Sequence, residues 1–116
     1  MQNTNPSRRL TTRVETAGQV WVYWQCGALK DVSRVRNVSA GGIFLELRKP
    51  LAKDAVANLH FLVPEGPIRA NATVRYNIPG EGLGLRFTAI EKEYGHQLAE
   101  LLTRLRGIQR ASASKH

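Results

Sequence analysis

The sequence predicts a small all-β domain, a closed barrel or a sandwich, with one helix at its C-terminal end. Three observations predict it. About six short segments alternate apolar and polar residues at period two. Turn residues of hairpin length separate them, and the last apolar stretch changes to helical spacing. At 116 residues the chain can bury one core but not two.

The elements follow in order. Met1 to Ser7 is polar and reads as a flexible arm. Gly18 to Trp24 is β-branched and aromatic, the composition of a strand. Trp21 and Trp24 fall on opposite faces of it, so one belongs to the core and the other to the surface. Gly27 marks a turn, Val32 to Ser39 a second strand, and Gly41-Gly42 a break. Ile43, Leu45 and Leu47 then alternate with Phe44 and Glu46. After Lys49-Pro50, Ala57, Leu59, Phe61 and Val63 share one face of a fourth strand. Pro64 to Pro67 turns the chain. Ile68, Ala70, Ala72, Val74 and Tyr76 form the core face of a fifth strand, against Arg69, Asn71, Thr73 and Arg75. Asn77 to Gly82 turns again, and Leu83, Leu85, Phe87 and Ala89 form the inner face of the last strand. From Glu91, residues Tyr94, Leu98, Leu101, Leu102 and Leu105 make one helical stripe, expected to lie on the barrel or cap one of its mouths. Acids lead this helix and arginines trail it, as the helix dipole favours. Gly107 is expected to stop it. These readings give an arm at 1–7, a domain at 8–107 with its barrel at about 14–89 and helix at about 91–106, and a disordered tail at 108–116.

The net charge of +8 is placed unevenly. Residues 1–13 contribute +3 and residues 101–116 contribute +4, leaving +1 for the folded middle. A basic end of this kind can close over a compact anion. No apolar run approaches the roughly 20 residues of a membrane span, and Met1 to Leu10 lacks a secretory leader's apolar segment. With the single Cys26 read as a half-buried strand thiol, these features predict a soluble cytoplasmic protein.

Two stretches carry chemistry. Arg8-Arg9-Leu10-Thr11-Thr12-Arg13 contains Arg-x-x-x-Arg, and Asn37-Val38-Ser39-Ala40-Gly41-Gly42 reads Asn-x-Ser-x-x-Gly. In this order, ahead of this β pattern and with Gly82-Leu-Gly-Leu-Arg-Phe87 in the last strand, they resemble the PilZ domain family. The resemblance covers about Ser7 to Leu105. It implies a six-stranded antiparallel barrel with a C-terminal helix, and a non-enzymatic receptor for the bacterial second messenger cyclic di-GMP.

The residue chemistry suits that ligand. Cyclic di-GMP presents two phosphates and two guanines. A guanidinium can bond a phosphate in bidentate fashion, grip guanine O6 and N7, or stack on the purine, whereas a lysine supplies only charge. By the resemblance, Arg9 and Arg13 contact phosphate and guanine. Asn37, Ser39 and Gly42 hold the other side of a base, with Asn37 and Ser39 expected on one strand face and Gly42 allowing close backbone approach. Asn at 37 in place of the family's alternative Asp removes a charged acceptor for guanine N–H groups. An arginine at Arg8 is associated in this family with a self-intercalated ligand pair, so two ligands per site are expected. Arg34 and Arg36, of opposite parity to Asn37, and Arg69, Arg75 and Arg86 are expected in solvent.

Competing functions are weaker. No nucleophile with a base, paired carboxylates or phosphate loop marks an enzyme. No His or Cys set has metal spacing, and no cofactor besides the ligand is expected. Few aromatics and a nearly neutral middle argue against a nucleic-acid-binding barrel. A ligand-independent adaptor of the same fold would be expected to lack the arginine motif. The reading is a switch: ligand orders the N-terminal arm, and an unidentified protein partner reads the change.

Overall fold

A computed structural model describes residues 13–90 and 92–113. It contains β1 (Val14–Glu15), β2 (Trp21–Cys26), β3 (Leu29–Val38), β4 (Gly42–Glu46), β5 (Val56–Leu62), β6 (Ile68–Ile78), β7 (Gly82–Ile90) and the helix α1 (Lys92–Ala113). All strand pairs are antiparallel. The order is β1-β3-β2-β5-β6-β7-β4, and β4 returns to pair with β3. Six strands therefore close into a barrel, the predicted architecture, with the two-residue β1 added on β3.

Closure places the alternating apolar residues inside. Val22, Val35, Ile43, Leu45, Leu59, Phe61, Val74, Leu83 and Leu85 are buried, and Trp24 joins them, its indole N–H donating 2.9 Å to Ser33 Oγ. Trp21, on the other face, is exposed. Cys26 is half-buried with a free thiol. Leu51, in the β4–β5 crossing, is buried in the core, its backbone N–H and carbonyl both bonded to the Asn77 side-chain amide at 3.2 and 3.0 Å.

The helix stripe behaves as its periodicity predicts. Leu98, Leu101, Leu102 and Leu105 are buried in the core, and α1 packs against β1 and β6. Each buried leucine contributes about 1.5–3 kcal/mol. Arg104 adds a two-pronged bond to Glu65 in the β5–β6 turn, with Nη2 to Oε1 at 3.1 Å. That bond holds the Glu65 carboxyl below its ordinary range, and burial opposes the shift. Among the described residues, no helix is long and apolar enough to cross a membrane.

Several expectations are corrected. The helix runs through Gly107 to Ala113, into the stretch read as a disordered tail. A glycine inside a helix costs about 1 kcal/mol relative to alanine, which does not end a helix flanked by good formers with no proline behind. Three bulges also break the alternation. Each adds one residue to one strand: Arg36 in β3, Arg75 in β6 and Thr88 in β7. After each bulge the inward set shifts by one. Tyr76 is therefore exposed instead of core-facing, and Ala89 points out while Ile90 packs against the core. Arg36 shares the half-exposed surface with Asn37, although simple parity opposed them. Phe44, expected outside, is covered there by Tyr76 and Arg36 and buried.

Candidate functional site

The site is built around the turn between β3 and β4. Ser39 closes that turn on itself. Its N–H donates to the Gly42 carbonyl at 2.9 Å, and its hydroxyl accepts the N–H groups of Gly41 and Gly42 at 3.0 and 3.2 Å. Ser39 is buried, and β3 ends at Val38, so the expected shared strand face of Asn37 and Ser39 does not form. The serine shapes the turn. The turn is also clamped to the neighbouring strand, because Phe87 N–H donates to the Gly41 carbonyl at 2.8 Å.

Gly42 is required by the same close approach. A Cβ there would lie 2.1 Å from the Leu85 carbonyl oxygen and 3.1 Å from Arg86 Cα. Both obstacles are backbone.

Arg13 reaches this turn through β1. Val14 pairs with Val38 and Glu15 with Asn37, which anchors the end of the arginine motif beside the second motif. The Arg13 guanidinium donates from Nη1 to Asn37 Oδ1 at 2.8 Å. Thr16 secures the same junction, its buried hydroxyl donating to the Val35 carbonyl. Arg8 and Arg9 lie outside the described residues.

Beside the turn opens a cleft of about 730 Å³. Its walls include Arg13, Ser39 to Gly42, Arg75, Tyr76, Gly84 and Arg86. The bulge at Arg75 turns both Arg75 and Tyr76 outward. Tyr76 lies across Gly84, where a Cβ would sit 2.4 Å from the ring. Phe44 packs beside Tyr76 with ring centroids 6.3 Å apart, and the Arg36 guanidinium covers Phe44 at 4.7 Å.

The arginines here are of two kinds. Arg36 is neutralised: it bonds Glu81 at 2.9 Å and Glu46 at 3.4 Å. The Glu81 bond chiefly raises its pKa, against some desolvation. Arg13, Arg75 and Arg86 have no carboxylate partner among the described residues, and none lines the cleft. Guanidinium groups that line one cleft without carboxylate partners are the arrangement that an anion relieves.

Of the predicted residues, the structure brings Arg13, Asn37, Ser39 and Gly42 together at one turn. It adds Arg75, Arg86 and Tyr76, which the strand alternation had assigned to solvent or core. One signal was available: Arg86 lies in the Gly82–Phe87 stretch and pairs directly with Gly42 of the second motif.

The class the geometry defines is a closed six-stranded antiparallel barrel with a C-terminal helix and an arginine-lined cleft beside a serine–glycine turn. Residues 7–104 match the PilZ domain family, and the chain belongs to that family. Similar solved structures include K. pneumonia MrkH in its apo state, at 17% identity over 99% of this chain and 54% of that one, TM-score 0.74. The K. pneumonia MrkH–c-di-GMP complex matches at 17% identity over 99% of this chain and 56% of that one, TM-score 0.68. The Bacillus subtilis inhibitor of motility MotI/DgrA matches at 25% identity over 100% of this chain and 55% of that one, TM-score 0.62. The chain thus spans about half the length of these structures. No curated protein matches it.

Proposed function

We propose that this chain is a non-catalytic cyclic di-GMP receptor that changes conformation on binding and passes the signal to a protein partner. The observation that carries the reading is that Arg13, Arg75 and Arg86, without a carboxylate partner among the described residues, line one cleft beside the Asn37–Gly42 turn. MrkH, which shares the fold, has been solved with c-di-GMP.

In this reading Arg13 is pre-oriented by Asn37 and presents its remaining N–H donors to phosphate or a guanine edge. Arg8 and Arg9 supply further phosphate contacts from the leader. Arg75 and Arg86 offset charge from the barrel side, and Tyr76 offers a ring for a base to stack on. The Ser39–Gly42 turn fixes the floor. Each charge-assisted bond to the ligand contributes about 1.5–3 kcal/mol.

Calorimetric titration with cyclic di-GMP, with GTP and cyclic di-AMP as controls, tests the reading and counts ligands per chain. Arg13→Ala is expected to lower affinity at least tenfold, the loss of one charged bond, with unchanged thermal unfolding. Wild-type protein that ignores cyclic di-GMP, or a variant that binds it as tightly as wild type, refutes the assignment.

A further inference from the structure

A second surface lies on the outer face of β2, β3 and β5. Strand register sets two rows across it. Tyr23 lies between Val32 and His60, and Trp21 between Arg34 and Leu62. Trp21 is 40% exposed, Val32 43% and Leu62 48%. The Arg34 guanidinium rests on the Trp21 ring at 4.9 Å from its centroid. A cleft of about 510 Å³ continues beside Tyr23 and His60 to Arg69 on β6. Contiguous aromatic and aliphatic area on a sheet face exceeds the scattered apolar residues of an ordinary surface.

Glu46 and Glu81 line the flanking cleft beside Trp21 and Arg34, and Arg36 engages both, so the charge left over on the strand face itself is positive. The outward positions paired across β3, β2, β5 and the start of β6 include Lys30, Arg34 and Arg69 and no carboxylate. A second copy docked on this face through the same patch would oppose cation to cation. Single-stranded nucleic acid wants open aromatic faces and a dense cationic track, whereas Arg34 occupies one face of Trp21 and the three cations are dispersed. Trp, Tyr and Arg at the centre of an apolar patch are the composition of protein-interface hot spots.

We propose that this face docks an acidic protein surface that inserts an apolar side chain between Trp21, Tyr23 and Leu62 and sets carboxylates against Arg34 and Arg69. Its role as an output surface rests on the receptor reading. The physical link is continuity: β3 runs from Val32 and Arg34 to Asn37, and β6 from Arg69 to Arg75 in the ligand cleft.

The test is an NMR titration of the full chain with three probes: an alternating Glu/Leu peptide, its Lys/Leu counterpart and an oligothymidylate. The Glu/Leu peptide is expected to shift the Trp21 indole and Tyr23 amide signals, while buried Trp24, bonded to Ser33, stays fixed as an internal control. Arg34→Glu with Arg69→Glu is expected to weaken that binding about tenfold or more. Trp21→Ala provides the uncharged comparison. Cyclic di-GMP titration of the same variants is expected to match wild type, which separates failure of the docking surface from failure of the receptor reading. No response to the Glu/Leu peptide, an equal response to the Lys/Leu peptide, or stronger binding of the oligothymidylate overturns the proposal.

Discussion

Substituting Gly42 by alanine separates a folding role from a ligand-contact role at the second motif. The new Cβ would stand 2.1 Å from the Leu85 carbonyl oxygen and 3.1 Å from the Leu85 carbonyl carbon and Arg86 Cα. An ordinary carbon–oxygen contact is about 3.3 Å or longer, so the strands must part by about 1 Å at this point. The movement has no soft outlet. Gly42 pairs with Arg86 and Ile43 with Leu85, and the Ser39 turn bonds the Gly42 N–H and carbonyl. Overpacking of this kind costs about 1–3 kcal/mol, and strained ladder bonds take the expected total to about 2–4 kcal/mol. For a domain of this size that lowers the melting temperature by about 10–15 °C. Urea unfolding followed by tryptophan fluorescence measures it. A Gly42→Ala protein within about 0.5 kcal/mol of wild type would show that the close approach is not a constraint, and the assignment of Gly42 to strand packing would fail.

Arg86→Ala, at a position that the alternation left in solvent, is expected to reduce cyclic di-GMP affinity about tenfold or more with little change in urea stability; calorimetry and urea unfolding check the two halves. Glu65→Gln breaks the ion pair that pins α1 to the β5–β6 turn and is expected to cost about 1–2 kcal/mol near neutral pH. Because Arg104 lowers the Glu65 pKa below its ordinary 4.5, that contribution is present above 4.5 and is lost as pH falls through the lower folded value. Acid should therefore narrow the gap between wild type and Glu65→Gln, and a gap independent of pH would reject the pairing. Thr16→Val removes a buried hydroxyl bonded to the Val35 carbonyl, for an expected loss of about 1–2 kcal/mol by urea unfolding.

Much of the fold was legible because period two is a strong signal where one face is buried. Ala57, Leu59 and Phe61 alternate without interruption, and all three are inside. The helix was legible for the corresponding reason, since Leu98 to Leu105 keep one stripe. Its end was not, because one glycine costs only about 1 kcal/mol inside a helix and does not by itself stop it. Half of the candidate site was legible as well. Arg13 and the Asn37–Gly42 stretch are local patterns, and β1, a pairing of only two residues, suffices to join them.

Arg75 and Arg86 were read correctly as outward-facing, but Tyr76 was hidden by a bulge, and the reason is physical. A bulge adds one residue to one strand and changes no composition, so no window of sequence marks it. Its effect is nevertheless to invert every inside–outside assignment beyond it. At Arg75 this turns an apparent core tyrosine into the exposed ring over Gly84, beside an arginine that already faces the cleft. At Arg36 it brings two consecutive residues to the surface, so that Arg36 engages Glu81 while Asn37 stays available to orient Arg13. Asn37, Arg75 and Tyr76 of the candidate site lie where the barrel departs from regular alternation, because an undistorted strand cannot turn two successive side chains to one face.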